Sequence, residues 1–406
     1  MTAPGRACRA LKIALAPDSF KGSLTAEEVA DCMEAGFRRV YGRRVSIVKI
    51  PMADGGEGTV RAVVAASGGR LVKAAATDPL ERRIRAEYGL IDDERTAVIE
   101  AASASGLPLL QPHERNPLLT TSRGTGELIR HAVLRGAKTI VLGLGGSATV
   151  DGGMGLAQAL GIRFLDARGR VIGAGGGALQ RLCRIDLSGL MPELLGVRIE
   201  IACDVTNPLC GPNGAARIYG PQKGATPAMV LKLDAGLQRL GAVVKKACGQ
   251  DWARHAGAGA AGGMAVPLLA FCNAQLRSGV DLVMRTVRLE ERLAGCDLVI
   301  TGEGRMDGQT ARGKTPVGVA RTARKLGLPV IAICGSAGPG VNQVYRTGID
   351  AVFTALQRPV SDAELATEGR EMLTFCSKQV AQLIALSKRF GVNTRKSSIK
   401  TGRPVF

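Results

Sequence analysis

Aromatic residues and histidines are scarce in this chain of 406 residues. Only 3% of the residues are Phe, Trp or Tyr, and only three are His. Few rings are available to stack on nucleic-acid bases, which argues against that class of binding protein. Three scattered histidines also give no indication of a Ser–His–Asp triad. The sequence therefore favours a chemistry that does not depend on imidazole.

Paired cysteine motifs and long apolar runs are absent as well. The ten cysteines form no C-x-x-C motif, and none of the three histidines lies near a cysteine cluster, so no zinc site is indicated. Cys334 and others lie within apolar runs, as reduced thiols of a cytoplasmic protein do. No run reaches the roughly 18 apolar residues that a membrane span needs. The apolar segment at 11–17 contains Lys12 and is too short for a signal peptide. We expect a cytoplasmic protein without a membrane partner.

Positive charge exceeds negative charge by 19 and is concentrated near the ends. Residues 387–406 carry six lysines and arginines, no acid and no apolar periodicity, which predicts a disordered basic tail. The charge on the rest of the chain suits an enzyme that attracts anionic substrates. It also suits an ordinary solvated basic surface. We expect no specific nucleic-acid partner.

The chain alternates short apolar runs, glycine-rich loops and helical patterns. The apolar run at 11–16 is followed by a capping box, Thr25-x-x-Glu28, and the same alternation recurs from 298 to 386. Residues 70–102 give strand-like runs without helices between them, and residues 170–275 look irregular. We therefore predict an α/β protein with a discontinuous domain, 10–90 plus 285–386, and an inserted α/β domain, 91–284.

Five loops combine glycine or a hydroxyl group with a carboxylate after an apolar run. They are Pro17-Asp18, Asp54-Gly-Gly-Glu-Gly, Gly145-Gly-Ser-Ala-Thr-Val-Asp151, Cys203-Asp204 and Gly302-Glu-Gly-Arg-Met-Asp307. Ligands bind beyond the carboxyl ends of strands in open α/β sheets. Glycine lets the backbone approach a phosphate, and carboxylates with phosphate oxygens are what Mg²⁺ prefers. The loops predict phosphate and magnesium chemistry, provided that they converge.

Two short motifs offer other interpretations. Residues 308–315 match the P-loop pattern G-x-x-x-x-G-K-T, but the preceding strand ends near Thr301, too far from the first glycine. Gly143-x-Gly145-x-x-Ala148, with Asp166 further on, resembles a dinucleotide fingerprint and suggests a nicotinamide-dependent oxidoreductase. No well-placed His or Tyr supports that chemistry. Lys21 and Lys223 could each neutralise a phosphoryl group or be ordinary loop lysines.

Longer blocks resemble one known family. They are APDSFKGSLTA (16–26), PMADGGEGT (51–59), GTGELI (124–129), GLGGSATVDGGMG (143–155), ACDVTNPLCGPNGA (202–215), GPQKGAT (220–226), GAGAAGGM (257–264) and DLVITGEGRMDGQTARGKTPVGVA (297–320). Together they resemble the class I glycerate kinases of bacteria over about residues 10–386. Two positions depart from the usual pattern of that family: Val150 stands where Asn is usual, and Arg123 where an aromatic residue is usual.

The resemblance implies transfer of phosphate from ATP to D-glycerate with Mg²⁺, giving 2-phosphoglycerate. It implies two dissimilar α/β domains, one of them flavodoxin-like with a parallel sheet, and an active-site cleft between them. A kinase of another small hydroxy acid is the alternative, and the nicotinamide oxidoreductase is a more distant one. A homodimer is one assembly that we consider.

These considerations select a set of candidate site residues. Those expected to take part in catalysis are Asp54, Asp307, Lys21 and Asp18. Those expected to bind the nucleotide are Gly145, Gly146, Ser147, Lys223, Gly313 and Lys314. Those expected to bind glycerate are Arg305, Ser19, Gly55 and Gly56. Those expected at the Mg²⁺ ion, directly or one shell away, are Asp204, Glu303 and Asp151.

Overall fold

The structure, a computed structural model, describes residues 10–387. The strands are β1 (Leu11–Pro17), β2 (Val45–Lys49), β3 (Arg70–Thr77), β4 (Arg83–Ile91), β5 (Thr96–Glu100), β6 (Thr139–Gly143), β7 (Arg163–Leu165), β8 (Arg184–Asp186), β9 (Arg198–Ala202), β10 (Gln275–Arg277), β11 (Leu298–Gly302), β12 (Arg305–Met306), β13 (Val330–Cys334), β14 (Ser336–Ala337) and β15 (Ala351–Thr354). The helices are α1 (Ala26–Tyr41), α2 (Thr59–Ser67), α3 (Ala102–Ser105), α4 (Arg123–Leu134), α5 (Met154–Ala159), α6 (Ala215–Tyr219), α7 (Pro227–Cys248), α8 (Val266–Phe271), α9 (Gly279–Thr286), α10 (Leu289–Leu293), α11 (Thr315–Lys325) and α12 (Asp362–Ser387). The predicted α/β class is confirmed. Within residues 10–387, no helix is long and apolar enough to span a membrane.

The described chain divides into two compact units. Unit 1 consists of residues 10–49, 292–312 and 320–387, and unit 2 of residues 50–291 and 313–319. Unit 1 is thus assembled from both ends of the chain. The predicted disordered tail, except Ser387, lies outside the described residues.

Unit 1 is built on a five-stranded sheet in the order β15-β13-β11-β1-β2, and every neighbouring pair is parallel. Numbered within the unit, this is the order 2-1-3-4-5 of flavodoxin-like sheets. The central strand β1 is an apolar run, and its residues from Ile13 to Pro17 are buried, as a parallel strand covered on both faces requires. The order reverses between β1 and β11, which defines a topological switch point at their carboxyl ends.

Helices α1 and α12 cover one region of this sheet. Helix α1 begins at the predicted capping box, in which Thr25 and Glu28 satisfy each other's backbone N–H groups. Its Gly36 contacts α12 so closely that a Cβ there would lie 2.6 Å from the Cβ of Ser377. Phe37 and Leu373 are fully buried in the core that the two helices share with the sheet.

Unit 2 contains a six-stranded sheet in the order β10-β9-β6-β5-β4-β3. Strands β5, β6, β9 and β10 are parallel to one another, whereas β4 pairs antiparallel with both β3 and β5. The edge strand β3 alternates exposed and buried residues, as expected for a strand with one solvated face. The carboxyl ends of β6 and β9 therefore lie side by side.

The prediction of an irregular region from 170 to 275 was wrong in one respect. The 22-residue helix α7 lies within it, capped by the Thr226 side chain, which accepts from the N–H of Met229. Leu233, Leu237, Leu240 and Val244 form its buried face, at helical spacing.

The unit boundaries also differ from the prediction. The expected boundary at 90 falls inside β4, and the observed divisions lie at 49/50, 291/292, 312/313 and 319/320. The physical reason is pairing: β3 and β4 continue the sheet of β5 and β6, so residues 70–91 cannot belong to the five-stranded sheet.

Candidate active site

A cavity of about 280 Å³ opens at the carboxyl ends of β6 and β9 in unit 2. Three of the five predicted loops meet there: the one at Asp54, the one after β6 and the one after β9. The cavity is lined by Asp54, Gly55, Gly56, Leu107, Leu144, Gly145, Gly146, Ser147, Ala202, Cys203, Asp204, Val205, Tyr219, Gln222, Lys223, Ala260 and Ala261. The position is the one that ligands take in open α/β sheets.

Glycine makes the approach of these loops possible. Gly55 has a φ of +88°, and a Cβ there would lie 2.7 Å from the Cβ of Ala202. A Cβ on Gly279, the first residue of α9, would lie 2.0 Å from the Asp54 carbonyl oxygen. The Asp54 loop therefore packs against the Ala202 side chain at the end of β9 and against the backbone of Gly279, which follows β10.

Two carboxylates, those of Asp54 and Asp204, belong to the cavity. Asp54 Oδ1 accepts the N–H of Gly56 at 2.9 Å, and Asp204 Oδ1 accepts the N–H of Gly279 at 3.0 Å. Desolvation raises the pKa of Asp204, and repulsion from Asp54 and Asp281 adds to the increase. The site thus concentrates negative charge that a cation would stabilise.

Lys223 reaches the cavity from the turn that follows α6. Its side chain is 2% exposed, and Nζ donates to Ser147 Oγ at 2.9 Å and to the Thr149 carbonyl oxygen at 2.8 Å. Desolvation lowers the pKa of Lys223 to about 7, although the charge of Asp151 opposes this shift. Lys223 therefore ties the loop after β6 to the wall of the cavity.

Asp151 does not fit its predicted place at the metal ion. The residue is fully buried, and its carboxylate accepts the N–H and Oγ–H of Ser122 and the N–H groups of Gly153 and Gly155. Burial raises its pKa, and these hydrogen bonds act against the shift. The four donors occupy the lone pairs that a cation would need, so Asp151 holds α4 and α5 together instead.

Sequence reasoning missed two residues that shape the cavity. Glu100, at the end of β5, accepts the N–H of Val60 at 2.7 Å and so caps the first turn of α2, next to the Asp54 loop. Burial raises the pKa of Glu100. The other residue is Gly279, whose N–H orients Asp204. A carboxylate at a strand end was a usable signal for Glu100, whereas β10 is too short to have indicated Gly279.

In unit 1, the predicted residues Asp18, Ser19 and Lys21 follow β1 at the switch point. The N–H of Asp18 donates to the carbonyl of Gly302 at the end of β11, and Asp18 Oδ1 accepts the N–H of Ser19 at 2.7 Å. Lys21 is exposed. The structure therefore places this loop beside the end of β11.

The loop after β11 carries Glu303, Arg305 and Asp307. Glu303 is 9% exposed, and its Oε1 accepts the hydroxyl of Thr310 at 2.5 Å. The same hydroxyl oxygen accepts the N–H of Asp307 at 3.0 Å. Arg305 Nε lies 3.8 Å from Asp307 Oδ2, and the Arg305 side chain is exposed. Glu303 thus positions Asp307 through Thr310.

Gly313 and Lys314 precede α11, where few backbone N–H groups are left for an anion, because Pro316 has none and those of Val317 and Gly318 donate to the Lys314 carbonyl. Thr315 is fully buried there, and its hydroxyl makes no hydrogen bond. Strand β12 and a turn at 310–312 separate β11 from α11, so the P-loop match does not describe a P-loop.

The dinucleotide interpretation also fails. Helix α5 begins only at Met154, and Asp166 Oδ1 accepts the N–H groups of Arg168 and Arg170 in a turn.

The residues present fit Mg²⁺ only as a partly protein-bound ion. Within residues 10–387, no group of three or more His, Cys, Asp or Glu side chains could hold a metal. Mg²⁺ is usually bound by one or two carboxylates, with substrate phosphates and water as the other ligands. Asp54 and Asp204 can supply the two carboxylates. Glu303 belongs to unit 1 and is hydrogen-bonded to Thr310, so the predicted set Asp204, Glu303 and Asp151 does not form one protein-built cluster.

Both departures from the family pattern have a structural setting. Val150 is fully buried in the apolar cluster of α7 with Phe164 and Leu237, where an apolar side chain packs without an unsatisfied polar group. Arg123 begins α4, and its Nε donates to Glu127 Oε1 at 3.1 Å. Glu127 in turn accepts from the backbone and hydroxyl of Thr77.

Comparisons with known proteins agree over nearly the whole chain. Residues 13–385 match the family model of the glycerate kinase family. The chain is 49% identical to the glycerate 2-kinase of Escherichia coli strain K12 over 379 residues, covering 93% of this chain and 99% of that protein. It is 48% identical to a glycerate kinase of Bacillus subtilis strain 168 over 378 residues, with 93% and 99% coverage. A crystal structure assigned as glycerate kinase 2 from Salmonella typhimurium LT2 superposes with a TM-score of 0.85 at 47% identity, covering 94% of this chain and all of that one. The chain therefore belongs to the glycerate kinase family of enzymes.

Proposed function

We propose that this enzyme transfers the terminal phosphate of ATP to the 2-hydroxyl of D-glycerate and releases 2-phosphoglycerate. The observation that carries the proposal is the cavity in unit 2. It combines two carboxylates, a glycine-rich loop and a buried lysine at the carboxyl ends of parallel strands. The name of the Escherichia coli relative, glycerate 2-kinase, supports the position of the transferred group.

The loop after β6 is the proposed phosphate-binding segment. Phosphoryl transfer depends mainly on positioning and charge stabilisation rather than on covalent work by the protein. Gly145 and Gly146 leave their backbone accessible at the cavity, and Lys223 fixes Ser147 next to them. Gly313 and Lys314, which precede α11, offer a further phosphate contact through the glycine backbone and the lysine ammonium.

Asp54 is the proposed carboxylate next to the glycerate hydroxyl in unit 2. The N–H of Gly56 donates to one oxygen of the Asp54 carboxylate, so Gly56 orients Asp54 rather than the substrate. Gly55 allows the positive φ that the loop requires at that position. A carboxylate so placed aligns a hydroxyl and accepts its proton. Asp307 in unit 1 is the second candidate for this role, because Thr310 and Glu303 position its backbone.

Asp204, together with Asp54, would hold Mg²⁺. The ion supplies neutralisation of phosphate charge when it is bound. The chain's own contribution is the orientation of Asp204 by the Gly279 N–H and the accumulation of negative charge between Asp54, Asp204 and Asp281.

With Asp307 as the carboxylate next to the hydroxyl, the proposed glycerate-binding groups are those at the switch point of unit 1. Arg305 is the candidate for the glycerate carboxylate, since a guanidinium pairs with two carboxylate oxygens at once. Ser19 and Lys21 lie on the neighbouring loop, where a hydroxyl and an ammonium can bind the substrate or the transferred group. Asp18 orients that loop through the N–H of Ser19.

A panel of small hydroxy acids tests the substrate, with ADP release as the measurement. D-Glycerate should be phosphorylated with the highest kcat/KM, and a better substrate among the other acids would replace glycerate in the proposal. The Asp54→Asn variant should lose on the order of 10²–10³ in turnover, the usual cost of one electrostatic contribution in a preorganised site.

Asp93→Asn is the matched control for Asp54→Asn, because Asp93 is exposed in the turn between β4 and β5. Both variants should keep the melting temperature of the wild type. Near-normal turnover of Asp54→Asn, with a large loss in Asp307→Asn, would move the proposed hydroxyl-binding carboxylate to unit 1.

A further inference from the structure

A basic groove lies at the C-terminal end of α11 in unit 1. It has a volume of about 550 Å³ and is lined by Arg321, Arg324, Lys325, Arg346 and Thr347. The first three belong to α11, and the other two end the turn at 341–347. The lining contains four cationic side chains and no carboxylate.

The four cations lack the ion pairs that other exposed arginines of unit 1 form. Arg358 pairs with Glu364 and Glu368, and Arg370 pairs with Glu28. Among the side chains of the described part of the chain, no carboxylate lies within salt-bridge distance of Arg321, Arg324, Lys325 or Arg346. The positive charge of the groove is therefore not neutralised by the protein.

The spacing of these cations is unfavourable for the helix itself. Arg321 lies three and four residues before Arg324 and Lys325, so like charges are neighbours on one helix face. The helix dipole favours cations in the last turn, which accounts for Arg324 and Lys325. It does not account for Arg321, or for Arg346 on the facing turn. A bound anion would remove this repulsion.

The walls of the groove are fixed by packing. A Cβ on Gly348 would lie 3.3 Å from Arg324 Cδ, so the aliphatic part of Arg324 rests against the end of the turn. The hydroxyl of Thr347 donates to the carbonyl of Val344 at 2.6 Å and closes the turn. The stem of Arg324 is thus in contact with the turn that carries Arg346.

We propose that this groove binds a small molecule that carries two phosphate groups. One guanidinium group can bind two oxygens of a phosphate at once, and three arginines with one lysine can neutralise more than one phosphate. None of these residues has a role in the proposed function, so the groove is a second ligand site. Two sources share the required chemistry: the diphosphate of a nucleotide, and a metabolite with a phosphate at each end of a carbon chain.

Calorimetric titration of the full chain tests the proposal with inorganic pyrophosphate and with a hexose 1,6-bisphosphate as the probes for the two sources. The test variant is Arg321→Gln with Arg346→Gln. The matched control is Arg43→Gln with Arg44→Gln, which removes the same charge from an exposed turn of the same unit. Melting curves establish that both variants fold, and a single-stranded DNA oligonucleotide is titrated as the polyanion comparison.

At least one probe should bind the wild type and the control alike and bind the test variant about tenfold or more weakly, since two charge-assisted contacts are lost. Glycerate kinase activity without the probe should be unchanged. Equal weakening in the control, equal binding to all three proteins, or binding of the oligonucleotide without either probe would overturn the proposal. Failure of the proposed kinase reaction would leave these titrations unaffected, so the two tests are distinguishable.

Discussion

Lys223 should make the stability of unit 2 increase with pH above neutrality, whereas a lysine in a salt bridge would make it decrease. Burial lowers its pKa from the model-compound value of 10.5 to about 7. Between these two values the unfolded chain binds a proton that the folded chain does not. As the pH rises through this window, proton binding stabilises the unfolded chain less and less. The free energy of unfolding must therefore rise with pH.

The size of this effect follows from the two pKa values. A difference of one pKa unit between the folded and the unfolded chain corresponds to about 1.36 kcal/mol of stability. Most of the pH range between the two pKa values lies above pH 7. Between pH 7 and pH 9 the single group should raise the free energy of unfolding by about 2 kcal/mol. The Lys223→Met variant removes the titrating group, so its unfolding free energy should lack this increase.

Urea unfolding followed by the fluorescence of Trp252 measures the effect within unit 2. Trp252 is the single tryptophan of the chain and packs against both apolar clusters of that unit. Lys232→Met, at an exposed position of α7, is the control and should retain the wild-type pH dependence. Equal slopes in wild type and Lys223→Met would show that Lys223 keeps its proton in the folded state, and the desolvation argument would fail.

Two further predictions concern the acidic residues and the metal. Asp151→Asn should lower the free energy of unfolding by about 1–3 kcal/mol, because an amide nitrogen then faces N–H donors. Turnover per folded molecule should persist. Urea unfolding followed by Trp252 fluorescence, together with an activity assay, checks both outcomes. Removal of Mg²⁺ by a chelator should abolish turnover, and added Mg²⁺ should restore it, because without the ion the carboxylates of Asp54 and Asp204 repel the phosphate groups; turnover in the chelated enzyme would remove the ion from the proposal.

Much of the local structure could be predicted from the sequence because its signals are local. The Thr25–Glu28 capping box marks the start of α1, and the apolar run at 11–16 becomes the buried strand β1. The alternation was predicted to continue to residue 386, and the last helix ends at Ser387. The glycine–carboxylate loops were expected to converge at the carboxyl ends of strands, and three of the five meet in one cavity.

Long-range pairing could not be predicted in the same way. Nothing in the runs at 71–76 and 84–91 specifies whether they extend the sheet of β5 or join the N-terminal strands, and the predicted boundary at 90 was wrong for that reason. The fate of a carboxylate was equally hidden. Asp151 and Asp204 both lie in loops that follow apolar runs, but one is buried under four donors and the other lines the cavity. Helix α7 was different, because the spacing of Leu233, Leu237 and Leu240 was a readable signal.

The position of the transferred phosphate tests the central claim most directly. The enzyme is incubated with ATP, Mg²⁺ and D-glycerate, and enolase without phosphoglycerate mutase reports the product. Immediate formation of phosphoenolpyruvate is the predicted result, because enolase acts on 2-phosphoglycerate. A signal that appears only after the mutase is added would show that the 3-hydroxyl is phosphorylated, and would contradict the proposed reaction.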